Sequence, residues 1–197
     1  MPFVFKRLAL VLSIATAFAA DKEAPFKAAP AASYAHHQTN DGITVGVDPY
    51  ASGDKIKAAF GKVDPYQYGV LPVLVVIQND GKEAIRLDRL KVEYVGPGNQ
   101  RVEATPSRDV RYAHGPQRPS VTPGPAGRVA IKSKKNPLDA WEIDGRAFAA
   151  QMLPPGQSAS GFFYFQTELQ PGATLYISGM RQASSNKELF YFETPLQ

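Results

Sequence analysis

Eight residues near the middle of the chain, Val70-Leu71-Pro72-Val73-Leu74-Val75-Val76-Ile77, constrain the fold more than any other stretch. The run is dominated by β-branched side chains, which suit a pleated and packed surface, and it is far shorter than the roughly 20 apolar residues a membrane helix needs. It predicts a central strand. Pro72 lacks a backbone N–H, so ladder pairing on one side is expected only after it. Asn79-Asp80-Gly81 follow, residues that tolerate the positive φ of a tight turn, and Ile85 resumes extended structure, so the segment reads as a hairpin.

The neighbouring segments carry the same signature. Ile43, Val45 and Val47 alternate with Thr44, Gly46 and Asp48 as in a half-buried strand closed by Pro49. Ser52 is placed to cap a short helix through Phe60, with Ile56, Ala59 and Phe60 on one side and Gly61 as its stop. Ile85 and Leu87 share one parity while Leu90, Val92 and Tyr94 share the other, which predicts a bulge or break at Asp88-Arg89. Gly96-Pro97-Gly98-Asn99 ends that strand.

Three aromatic runs follow late in the chain: Phe162-Phe163-Tyr164-Phe165, Leu175-Tyr176-Ile177 and Leu189-Phe190-Tyr191-Phe192. Turn residues at Pro155-Gly156, Pro171-Gly172 and Ser184-Ser185-Asn186 separate them. A helix over about Asp144–Met152 is expected from the spacing of Ile143, Ala147, Phe148 and Met152, with Trp141, Phe148 and Met152 plugging one end of the core. Seven to eight short strands without a strand-helix repeat predict a mainly β fold, a single antiparallel β-sandwich with one or two short helices.

Between these strands lies a long Pro/Gly-rich insertion, 103–137, in which Pro106, Pro116, Pro119, Pro123, Pro125 and Pro137 oppose sustained helix or central sheet. From 101 to 135 the chain has eight Lys and Arg against Glu103 and Asp109, a local balance of +6 within a chain of net charge +4. Charge separated in this way steers an anionic partner onto one face, although exposed loops also collect Lys and Arg for solubility alone.

The first residues bear on location. Lys6-Arg7, an apolar run from Leu8 to Phe18, and small residues at Ala17 and Ala19 have the layout of a secretory signal, with cleavage expected after Ala19. Retention of the signal as an anchor is the lesser alternative. Residues 20–41, rich in Ala, Pro and Lys, read as a flexible leader, and the domain is expected over 42–197. The chain contains no cysteine, so disulfides, thiolate ligands and thiol nucleophiles are excluded.

The Val-rich strand ending in Ile77-Gln78-Asn79-Asp80-Gly81, the Pro-Pro-Gly turn feeding Gly161-Phe162-Phe163-Tyr164-Phe165, and the Pro-Gly turn before the last strand pair resemble bacterial secreted immunoglobulin-like β-sandwich domains of unknown function. That resemblance spans roughly 42–196 and implies an exported binding or accessory role. It carries over no catalytic residue.

Chemistry-bearing motifs are sparse. His36-His37 are metal-ligand types, but they lie in the expected leader without a nearby carboxylate or Cys, and no metal site is assigned. His114 has no nucleophile placed beside it. Gly156-Gln157-Ser158-Ala159-Ser160-Gly161 lacks a nucleophile elbow and reads as a turn entering a strand. Asp139, Glu142, Asp144 and Gly145 fail the register of a calcium loop, with Ala140 at the first-ligand position and Gln151 at the bidentate one.

The expected function is therefore an exported, noncatalytic interaction module of the bacterial cell envelope without a cofactor. Its contact surface is placed on Arg108, Arg111, Tyr112, Arg118, Lys132, Lys134 and Lys135. The partner is an envelope protein or anionic surface polymer; export argues against nucleic acid. One alternative is a small-ligand or carbohydrate-binding module using Tyr164, Tyr176 and Tyr191. A second is an enzyme whose residues are scattered in sequence.

Overall fold

The structure, a computed structural model, describes residues 26–113, 120–123, 129–132 and 136–197, with backbone pairing only for 120–123 and 129–132. The signal-like residues lie outside the described residues, as do His114, Arg118, Lys134 and Lys135. In chain order the strands are β1 (His36–Asn40), β2 (Ile43–Pro49), β3 (Leu71–Asn79), β4 (Ile85–Arg86), β5 (Lys91–Val95), β6 (Arg101–Glu103), β7 (Ser120–Pro123), β8 (Val129–Lys132), β9 (Met152–Leu153), β10 (Ser158–Phe165), β11 (Thr174–Ser178), β12 (Arg181–Gln182) and β13 (Phe192–Pro195). Two four-stranded antiparallel sheets, ordered β1-β2-β3-β10 and β13-β11-β5-β6, form a β-sandwich; β12-β4-β9 and the β7-β8 pair make two smaller sheets. There are more strand segments than the expected seven or eight because several are only two to four residues long.

The core explains the Val-rich run. Val73, Val75 and Ile77 face the second sheet and pack with Val92, Tyr94, Leu175, Ile177 and Phe192. The opposite parity, Leu74 and Val76, joins Phe162 and Tyr164 in a second cluster on the other face. That second face is covered by α1 (Gly53–Phe60) through Ile56, Ala59 and Phe60, by Val110, and by α2 (Trp141–Gly145) through Ile143. Being buried on both faces, β3 has no polar alternation to show.

Pro72 behaves as its chemistry requires. Pairing with β2 ends at Pro49↔Val73, and beyond it the Pro72 carbonyl accepts the Tyr50 N–H at 2.9 Å. On its other side β10 pairs without interruption to Leu71. The expected break at Asp88-Arg89 is also present as a turn, with Leu90 N–H donating to the Leu87 carbonyl at 3.1 Å, and it transfers the chain from the small sheet to β5.

Four expectations are corrected. The chain before Gly42 is not merely a leader: β1 pairs with β2 from His36↔Val47 to Asn40↔Ile43, and Phe26, Ala31 and Tyr34 pack into the second cluster. For the same reason β2 is buried on both faces, and Gly46 leaves room for the Ala31 carbonyl, which a Cβ would strike. The hairpin expected at Asn79-Asp80-Gly81 does not form, because β3 and β4 belong to different sheets. The helix expected over Asp144–Met152 instead occupies Trp141–Gly145, and β9 begins at Met152. Trp141 and Met152 are consequently exposed, at 72% and 55%, and only Phe148 of the supposed plug packs on the core.

Candidate functional surface

The insertion is anchored at both ends before it reaches its own hairpin. Thr105 N–H donates to the Tyr164 carbonyl at 2.7 Å, fixing the chain to the free edge of β10. A 3-10 helix, Ser107–Tyr112, follows and inserts Val110 into the second cluster. The returning chain is clamped to it: Asn136 Nδ2 donates to the Arg111 carbonyl at 2.6 Å, and the Arg111 guanidinium reaches Asp139 at 3.1 Å. Between these anchors β7 and β8 pair antiparallel, from Ser120↔Lys132 to Pro123↔Val129, and join neither main sheet.

This geometry divides the expected contact residues. Arg108, Arg111 and Tyr112 share the 3-10 helix, where Arg108 is exposed and Tyr112 is 67% exposed. Arg111 is spoken for, since its Nε donates to the Arg108 carbonyl at 2.9 Å and it bridges to Asp139. It therefore acts as much in holding the insertion as in presenting charge. Lys132 lies opposite Ser120 at the base of the hairpin. Arg118, Lys134 and Lys135 lie outside the described residues.

The tyrosines divide differently. Tyr164 is buried, and its hydroxyl donates to the Ile143 carbonyl at 2.7 Å; burial pushes its titration above the ordinary tyrosine range. It cannot meet a surface ligand. Tyr176 and Tyr191 instead stack on the outer face of the second sheet, centroids 5.1 Å apart at 28°, and Arg101 lies 4.8 Å over the Tyr176 ring while pairing with Glu93 at 3.0 Å. The participation of Arg101 was not legible from its position in the sequence. It follows from the β5-β6 register, which places Arg101 opposite Val95 and on the same outer face as Glu93.

A cleft of about 410 Å³ opens where the chain crosses from β6 to the edge of β10. Phe148 and Phe163, stacked at 5.3 Å, form its apolar wall, and Lys91, Glu93 and Glu103 its charged rim. His37 Nδ1 donates to the Tyr34 carbonyl at 2.8 Å, a bond within the fold. Among the described residues no group of three His, Cys, Asp or Glu side chains is arranged to hold a metal ion.

No protein-family model matches the chain, and no curated protein does. Solved structures overlap with it only partially. A Bordetella pertussis protein provisionally described as ApaA is 15% identical, with a TM-score of 0.33 over 79% of this chain and 88% of that one. The secreted protein MPT63 of Mycobacterium tuberculosis is 11% identical, with a TM-score of 0.35 over 86% and 98%. A Bacillus subtilis protein provisionally described as a lipoprotein is 13% identical, with a TM-score of 0.35 over 80% of this chain and 37% of that one.

Proposed function

We propose that this chain is an exported, noncatalytic interaction module of the bacterial cell envelope that engages an anionic partner, an envelope protein or surface polymer, through its basic insertion. The observation that carries the reading is the insertion's construction: a hairpin outside both main sheets, rooted by Val110, the Asn136 clamp and the Arg111–Asp139 pair. A rigid sandwich that holds a basic arm at a fixed root limits the ordering cost of binding. The signal-like first twenty residues support export, and no described helix is long and apolar enough to cross a membrane. The immunoglobulin-like resemblance fits such a role without adding a site.

The test is cosedimentation of the mature protein with envelope fractions at about 10 mM and about 1 M salt, where the screening length falls from about 30 Å to about 3 Å. Binding at low salt that vanishes at high salt supports the reading; salt-independent binding, or none, contradicts it. One observation favours a second reading, a carbohydrate- or ring-binding module. The stacked Tyr176 and Tyr191, with Arg101 over Tyr176, form an outward aromatic platform, and its binding would survive high salt.

A further inference from the structure

A different group, Arg146, has a setting that neither reading uses. It follows α2, where the chain lies along the free edge of β10: Phe162 N–H donates to the Arg146 carbonyl at 2.8 Å, and Phe148 N–H donates to the Phe162 carbonyl at 3.1 Å. Gly161 permits this approach, since a Cβ there would strike the Phe148 backbone. The Arg146 backbone is thereby tied to β10 through its carbonyl.

Its side chain is fixed as well. The guanidinium carbon lies 5.5 Å from the Phe26 ring centre and 5.9 Å from that of Phe60, so two aromatic faces hold the plane. Among the described residues no carboxylate pairs with it, and Nη1 is sealed from solvent without an acceptor. An arginine stays charged at any physiological pH, and a desolvated donor without a partner is costly. Aromatic faces offset part of that cost and leave the fork of N–H donors without an anion.

Arg146 lines a pocket of about 330 Å³ together with Lys27, Ser158, Ser160, Phe26, Ala28 and Ala147. Ser158 and Ser160 share the parity of Phe162, so β10 presents both toward the covered face. The pocket thus combines two cationic residues, the held Arg146 and the exposed Lys27, with two hydroxyls and apolar walls. We propose that this pocket binds a small carboxylate with an apolar body, the carboxylate paired to Arg146 and assisted by Ser160, the body against Phe26 and Ala28. Because Nη1 is closed off, a planar carboxylate meets the Nε–Nη2 edge of the guanidinium, where two parallel N–H donors match its two oxygens. The site is distinct from the insertion and does not depend on its role.

The experiment is a titration of the mature protein with butyrate and with hexanoate, followed by 1H-15N NMR at the Arg146 side chain and the Ala147 and Ser160 amides. Saturable shifts at these groups are expected, with hexanoate binding tighter than butyrate. Arg146→Gln is expected to weaken binding at least tenfold and Ser160→Val at least threefold, while Lys187→Gln, at an exposed position outside the pocket, changes it less than twofold. Ser160 is an exposed strand position that accepts a β-branched residue, so Ser160→Val remains informative if Arg146→Gln destabilises the fold. Absence of saturable shifts, wild-type affinity in Ser160→Val, or equal losses in Lys187→Gln and Arg146→Gln would overturn the proposal.

Discussion

Asn79 shows how much a single side chain determines. It is fully buried, donates to the Glu83 carbonyl at 2.8 Å and the Leu153 carbonyl at 3.0 Å, and accepts the Gly81 N–H at 3.0 Å. It ties the end of β3 to β9 and to the turn that follows. Asn79→Ala leaves these groups without their partner, and urea unfolding is expected to show a loss of about 2–3 kcal/mol. Tyrosine burial sets the alkaline limit. Desolvation raises the titration of Tyr50 and Tyr164 above the ordinary value of about 10, so the folded state favours their neutral forms. Their contribution is fully present below about pH 10 and is lost as pH rises toward their folded values. Unfolding midpoints followed from pH 8 to 12, values chosen about the ordinary tyrosine titration, should therefore fall above about pH 10, and less steeply in Tyr164→Phe. A slope unchanged by that substitution would count against the assignment.

At the scale of elements, the same tripeptide has two fates. Asn40-Asp41-Gly42 closes the β1-β2 hairpin with Asp41 at φ 49° and Gly42 at φ 76°, whereas Asn79-Asp80-Gly81 passes between sheets. Local turn chemistry is legible in sequence, but the partner of the following strand is not, because pairing is decided by burial across the molecule. α1 was legible because its stop and apolar face are local: Gly61 adopts φ 63°, and Ile56, Ala59 and Phe60 are buried. The error at α2 has the complementary cause. A helical spacing over Ile143, Ala147 and Phe148 was outweighed by pairing of 146–148 with the edge of β10, a long-range contact that periodicity does not record. Gly161→Ala should displace that segment. We expect it to lower stability by about 1–3 kcal/mol in urea unfolding and to move the Phe148 resonances, while Gly156→Ala, with open space around it but φ 72°, costs about 1 kcal/mol.

For the whole molecule, the main lesson concerns its covered outer face. The sandwich architecture was legible from strand spacing and turns, but the second cluster was not, because Phe26, Ala31 and Tyr34 come from a stretch whose composition reads as a leader. Phe26 contacts Tyr50 and Phe162 through ring pairs at 6.2 and 5.4 Å. Removal of residues 20–34 should accordingly lower the urea midpoint and expose a dye-binding apolar face; an unchanged midpoint would return the segment to the status of a leader. Of the expected contact surface, the sequence revealed the concentration of charge but not that Arg111 is half committed to Asp139, since that acid lies on the far side of the insertion. The proposal that the basic insertion is the working surface is tested by comparing envelope binding, at low and high salt, of three proteins. These are the wild type, a variant with Arg108, Arg111, Arg118, Lys132, Lys134 and Lys135 changed to Gln, and Tyr176→Ala/Tyr191→Ala. Salt-sensitive binding that is lost in the first variant and kept in the second is expected; loss in the tyrosine variant alone, with indifference to salt, would overturn the proposal.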